Sequence, residues 1–525
     1  MHLFAASWLA LIALAFSPAA GASAPDFAPL ARLVQETKDA TLPSATAIAV
    51  VKDGAVVYEA YFGDADIAAG VPATRDTAFY IASATKPVFA LHALLQAQAG
   101  RLDMRTTLRQ MFPDARFDGI DAGAVTAADL LTHVSGVDNA PLVWATAFSG
   151  VHDAASRQAL VAASYPDADA AHGTFRYSNV GYNILSVWME RRFGRPWQDQ
   201  LEDTVLRPLG MARTSASIAR AQAAGWPLAR PYSFAAEQPE APLYLAKSDD
   251  TMHAAGGLVS TAPDLAAFLA AQLAPGARPA LAAAIARSHE PRARLSSQYL
   301  DFARSGYAWG WYTGAYKGRT MLHHFGGFAG FHAHLSFVPE AGVGLVVLNN
   351  EDALSARLTN LIADYVYGAM LGEPGVEARA AERFAALRAQ AADLRRAVAA
   401  QREKIRGRAW RLSRPREDYA GVYAHPLLGE MGVALDPGGG LALRWGRLAA
   451  VATAGEAADQ VRAEFSPGSG EFLDFAVRDG EVGAVSLGPM TFVRVRASVP
   501  RARADVVYRP PAPRSPPAHA SRTTE

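Results

Sequence analysis

The stretch Tyr80–Gln96, YIASATKPVFALHALLQ, decides how this chain is read. Ser83 stands three residues ahead of Lys86, at the head of an apolar run with Leu91, Leu94 and Leu95 at helical spacing. Side chains three apart share a helix face, so this hydroxyl and amine meet. The pattern has an ordinary meaning, with Ser83 capping the helix. It also has a chemical one, with Ser83 as nucleophile and Lys86 as its base. Only Lys38, Lys52, Lys86, Lys247, Lys317 and Lys404 are lysines among fifty basic residues. A chain that otherwise uses arginine places here the cationic side chain able to give up its proton.

The rest of the composition limits the classes of function. The chain has 525 residues, 50% hydrophobic and 19% charged, a globular composition long enough for two or three domains. Fifty basic residues balance fifty acidic ones, which gives no support to a nucleic-acid partner or an acidic membrane surface. Cysteine is absent, so disulfides, thiolate catalysis and cysteine-bound metals are excluded. The phosphate-loop, G-x-G-x-x-G, H-E-x-x-H and G-x-S-x-G patterns are missing. No cofactor is expected and no metal, since His253, His332 and His334 lack ligand spacing.

Residues 1–22 read as a signal peptide: Leu3–Phe16 is an apolar run too short to span a bilayer comfortably, and Ala20-Gly21-Ala22 fits a cleavage site. A periplasmic or secreted protein is the expectation, with no membrane span beyond the leader. The main unit is read as 25–374. Asp53-Gly54 joins two apolar runs as a hairpin, residues 125–275 are Ala-rich and largely helical in pattern, and strands return from Tyr307. Strands at both ends with helices between them predict an α+β fold, one antiparallel sheet built from both ends of the unit. A charged helix, read as a linker, covers 375–408. A small β-barrel-like module covers 409–498, and 499–525 is a Pro-rich tail that cannot bury a core and is read as disordered.

Two further stretches supply partners for the Ser-x-x-Lys pair. FRYSNVGYNILSVWME carries Tyr177-Ser178-Asn179 before an apolar helix, and LHHFGGFAGFHAHLSF carries His324-Phe325-Gly326-Gly327 on a strand. With these three motifs in order, residues 30–372 resemble the serine β-lactamase and penicillin-binding-protein superfamily. The likeness is to its class C β-lactamase branch, with D-Ala-D-Ala carboxypeptidases and family VIII esterases. LLTHVSG (130–136), LRPLGMARTS and AAGGLVSTAPDLAAFL (254–269) frame the motifs in the same style.

The resemblance implies a serine hydrolase working through a Ser83 acyl-enzyme, with Lys86 and Tyr177 as a coupled base pair. It implies that Asn179 bonds the substrate amide or the Lys86 ammonium, and that the backbone amides of Ser83 and Gly327 form the oxyanion hole, Gly326 and Gly327 leaving room for the approach. A phenol beside an ammonium is expected to have a lowered pKa. His133 is assigned to loop structure. Where the family has K-T-G, this chain has His324-Phe325-Gly326; phenylalanine cannot bond a substrate carboxylate, which favours a less polar ester or amide. His324 is expected to bind anions better below about pH 6.5. Hydrolysis of a small ester, amide or peptide is the leading expectation. A D-Ala-D-Ala carboxypeptidase or β-lactamase acting on cell-wall peptides or β-lactams is the alternative, and a non-catalytic scaffold the second. The β module is expected to carry no catalytic group.

Overall fold

A computed structural model describes residues 25–465 and 468–495. The leader (1–22) and the Pro-rich tail (499–525) lie outside the described residues. The main unit is built on an eight-stranded antiparallel sheet. Its strands are β1 (Thr46–Lys52), β2 (Ala55–Phe62), β3 (Ala293–Tyr299), β4 (Phe302–Tyr307), β5 (Tyr312–Tyr316), β6 (Arg319–Phe328), β7 (Phe331–Val338) and β8 (Val343–Asn349), in the order β2-β1-β8-β7-β6-β5-β4-β3. The first hairpin thus pairs with the last strand, Thr46 opposite Asn349, which closes the unit from both chain ends.

Alternation along these strands splits the core in two. Ile48, Val50, Leu345 and Val347 pack one face against α1 (Ala28–Ala40) and the late helices α4 (Ser355–Met370) and α5 (Val376–Arg406). Ala47, Ala49, Val346 and Leu348 face the helical insertion, including α2 (Thr85–Gln98) and α3 (Val180–Phe193). The stretch read as a linker is therefore tied to the main unit along its first half. Ala380, Phe384 and Leu387 are buried, while Arg379 and Arg383 bond Asp364. Among the described residues no helix is long and apolar enough to cross a membrane.

From Gly421 to Arg494 the chain forms a second antiparallel sheet of nine strands. Its edge strands, Leu448–Val451 and Thr453–Ala454, are consecutive in the chain with only Ala452 between them, so the sheet must curl until its edges meet. Tyr423, Met431, Trp445, Leu473 and Phe492 are fully buried and fill the interior.

Candidate active site

Ser83 lies on a tight turn, Ala82–Ala84, that runs into α2. Ala82 has φ +44°, a conformation unfavourable for a residue with a Cβ. It is held there from both sides. Ile81 N–H donates to Leu258 O, with Tyr80 paired opposite Val259. On the other flank Gly326 of β6 packs so close that a Cβ there would lie 1.9 Å from Ile81 O. Only glycine fits, so the strand and the serine turn are pressed together. Ser83 does not cap the helix; the cap position falls on Ala84 and no side chain serves it.

Lys86 is fully buried. Its Nζ lies 3.0 Å from Ser83 Oγ, 2.7 Å from Asn179 Oδ1 and 2.8 Å from Ala255 O. All three neighbours are uncharged, and burial pushes the amine well below its ordinary 10.5. A neutral amine has two N–H groups and one lone pair. The Asn179 and Ala255 carbonyl oxygens accept the two hydrogens, which leaves the lone pair for the Ser83 hydroxyl. Asn179 precedes α3 but makes no cap hydrogen bond; its side chain serves Lys86 instead.

The Tyr177 hydroxyl is close enough to feel the Ser83 side chain, and its ring centroid lies 4.7 Å from Lys86 Nζ. Tyr177 as a residue is 37% exposed, while its hydroxyl lies in buried surroundings. The expectation of a lowered phenol is corrected here. Burial of the hydroxyl end pushes Tyr177 above 10.0, the Ser83 side chain acting the other way. With the neighbouring amine driven neutral, no ammonium is left to favour a phenolate.

Strand alternation sorts the third motif. His324 and Gly326 face Ser83, while His323 and Phe325 face the other side of the sheet. His324 Nδ1 donates to Phe325 O at 2.8 Å, so its Nε2 is the acceptor for the Tyr307 hydroxyl at 3.3 Å. Burial holds the ring well below 6.5. The expectation of anion binding below pH 6.5 is therefore corrected: both nitrogens are engaged and the ring stays neutral. Phe325 packs against Tyr299, Phe302 and His334 at 4.6 to 5.1 Å between ring centroids. It does not touch the serine side, which removes the argument from its missing hydroxyl. Gly327 is exposed, and a Cβ there would meet nothing within 4 Å, so space is open beside its backbone.

Three participants carried no signal of their own in the sequence. The Ala255 carbonyl lies in a quoted stretch, but a backbone oxygen has no side chain to mark it. His133, at φ +60°, accepts from Ser178 N–H and packs with its ring centroid 4.7 Å from both the Tyr177 ring, which is tilted to it, and the Tyr307 ring, which it meets edge-on. It is a prop for Tyr177 as well as a loop residue. Arg304 lies 3.8 Å over the Tyr312 ring, which in turn stacks on Tyr177.

The fold and this arrangement define an α+β protein of the serine β-lactamase type, and comparison agrees. The beta-lactamase family profile matches residues 30–367, more than half of the chain. The chain belongs to the beta-lactamase family. It is 26% identical over 336 residues to "Unguisins hydrolase ungD'" of Aspergillus campestris, covering 61% of each chain. It is 31% identical over 190 residues to Esterase EstB of Burkholderia gladioli, covering 34% of this chain and 48% of the esterase. The chain thus spans less than two thirds of the length of these curated relatives. Two solved structures share the fold. The octameric penicillin-binding protein homologue of Pyrococcus abyssi matches 89% of this chain and 100% of its own, at 21% identity and TM-score 0.56. The D-alanine carboxypeptidase AmpC of Burkholderia cenocepacia matches 66% of this chain and 97% of its own, at 22% identity and TM-score 0.52.

Proposed function

We infer that the protein is a serine hydrolase that cleaves an ester or amide through a Ser83 acyl-enzyme. The observation that carries this is the placing of Lys86: its Nζ lies 3.0 Å from Ser83 Oγ and bonds two carbonyl oxygens, so that in its neutral form the lone pair is left to Ser83. As Ser83 Oγ attacks the substrate carbonyl, its proton passes to Lys86 Nζ. The oxyanion forms beside the backbone amides of Ser83 and Gly327, where preorganised donors contribute a few kcal/mol. Tyr177, a neutral phenol beside Ser83, hands a proton to the leaving alcohol or amine and is reprotonated from Lys86. Water then repeats the attack on the acyl-enzyme, giving its proton to the same pair, which returns it to Ser83 Oγ as the ester bond breaks and the acid leaves. Relatives named as a hydrolase and an esterase support this reading. The apolar Leu3–Phe16 run supports export as its setting.

A fluorophosphonate probe and a fluorescent penicillin, applied side by side, test the reading. Fluorophosphonate labelling that disappears in Ser83→Ala is the expected result. A folded protein that takes up neither probe is a scaffold, not an enzyme.

A further inference from the structure

The role of the C-terminal sheet can be read from what it holds. Its Trp445–Leu448 turn sits on the segment 144–151 of the main unit. Arg447 N–H donates to Ser149 O at 2.9 Å, and the Arg447 guanidinium pairs with Asp250 at 3.1 Å. Gly446, at φ +57°, is pressed so close that a Cβ would lie 2.2 Å from Ser149 O. Trp144 stacks on Trp445 with centroids 6.0 Å apart, and edge-on against Phe465. A second tie lies alongside: Tyr244 donates its hydroxyl to Phe465 O at 2.7 Å and accepts from Ala449 N–H at 3.2 Å.

The clamped segment leads straight to the serine. Trp144 lies 4.9 Å from Phe148, Phe148 lies 5.7 Å from Phe328, and Phe328 lies 5.5 Å from Tyr80. Phe328 is the neighbour of Gly327, and Tyr80 precedes Ser83 by three residues. Lys247 ties this group together, its Nζ 3.6 Å over the Phe328 ring while donating to Ala147 O at 2.6 Å. Trp144, Phe148 and Phe328 are all only half-buried, in contrast to the closed core beneath them. A half-open aromatic surface beside the backbone of Gly327 is chemistry suited to an apolar ring.

We propose that Trp144, Phe148 and Phe328 form the acyl subsite, selecting aromatic or comparably bulky apolar acyl groups, and that the C-terminal sheet is the positioning element that holds this wall. The proposal rests on the serine-hydrolase reading, since an acyl group has meaning only if Ser83 is acylated. The C-terminal sheet supplies no reacting group; it acts through Gly446 and Arg447 on the segment that carries Phe148.

The test compares p-nitrophenyl benzoate with p-nitrophenyl acetate on the full chain. Phe148→Ala lowers the benzoate-to-acetate ratio of kcat/KM by roughly tenfold, the scale of one lost aromatic contact. Arg447→Ala lowers the same ratio while acetate turnover and thermal melting stay at the wild-type level, and Gly446→Ala, whose Cβ would press on Ser149 O, lowers it with acetate turnover kept and some loss of thermal stability. A general structural defect would instead reduce both substrates together. An unchanged ratio in Phe148→Ala overturns the subsite. A ratio that falls in Phe148→Ala but not in Gly446→Ala, or a Gly446→Ala protein that loses both activities alike, overturns the positioning role. Where Gly446→Ala does not fold, the Arg447→Ala ratio alone decides that role in the same way. Loss of fluorophosphonate labelling in the wild type would strike the hydrolase reading itself and is read separately.

Discussion

Lys38 and Lys86 are both buried, in regions built on opposite principles. Lys38, at the end of α1, donates to Ser44 Oγ and feels the carboxylate of Glu351; burial lowers it to about 8, with Glu351 opposing the fall. Lys86 is equally buried but has only neutral oxygens around it, and nothing opposes its fall. Glu351 itself is held by the backbone N–H groups of Phe234, Ala353, Leu354 and Ser355. The Lys38 region is a structural strut in which a negative charge favours the ammonium. The Lys86 region withholds that charge, and in a dry site a lysine without a counter-charge is pushed toward its neutral form. The difference lies in the partners, because the two side chains and their burial are alike.

The largest effect expected from breaking this contrast is Lys86→Arg. Arginine carries a charge that it cannot lose, so kcat/KM should fall by about a thousandfold in steady-state assays of an aryl ester. Survival of more than a tenth of the activity would show that Lys86 is not the base.

Asn179→Ala comes next. Losing a carbonyl acceptor on an amine that becomes charged in the reaction is worth roughly 1.5–3 kcal/mol, so plateau kcat/KM should fall by about one to two orders of magnitude. The pH profile sharpens the point. Activity needs neutral Lys86, so kcat/KM rises with pH along a limb lying well below 10.5. An oxygen acceptor favours the ammonium, so its removal should move that limb to lower pH. A limb that moves upward would reverse the assignment of Asn179.

Lys38→Met should alter stability and spare activity. The Lys38 pKa is lowered from 10.5 to about 8, so the unfolded chain binds the extra proton between those values. The wild type therefore gains stability as pH rises from about 8 to 10.5, and the methionine variant lacks that gain. The difference between them should change by roughly 3 kcal/mol across the window in urea titrations, with kcat/KM unchanged within about twofold. A flat difference would mean that Lys38 titrates normally.

The smallest effect belongs to Phe325→Thr. Because Phe325 faces away from Ser83, the ratio of kcat/KM for a carboxylate-bearing ester to that for a neutral one should stay within about twofold. A tenfold rise would place Phe325 against the substrate after all.

Much of this was legible in order and spacing. Asp53-Gly54 does turn a hairpin, with both residues at positive φ and Lys52 paired with Ala55. Strands at both ends of the main unit do pair into one sheet, β1 against β8. Ser83, Lys86, Tyr177 and Asn179 do meet in space, although 93 residues separate Lys86 from Asn179. Phe384, Leu387 and Ala391 share the buried face of α5, and the ion pairs from Arg383 to Asp364 and Asp301 fix what that helix packs on, which a reading of the stretch as a linker did not say.

What the sequence by itself determined was the set of residue types and the helix and strand periods that bring them to common faces. These depend on local geometry, where a serine three residues before a lysine shares its face in any helix. Only the tertiary structure decided their protonation and their facing. The pKa of Lys86 is lowered by its burial, and Tyr177 is pushed up because its hydroxyl end is withdrawn from water. His323 and His324 are the same residue side by side, yet one packs among Phe302, Tyr312 and Phe325 and the other bonds Tyr307 beside the serine. Alternation says they face apart; which one faces the serine depends on Gly326 pressing against Ile81, a contact across more than two hundred residues.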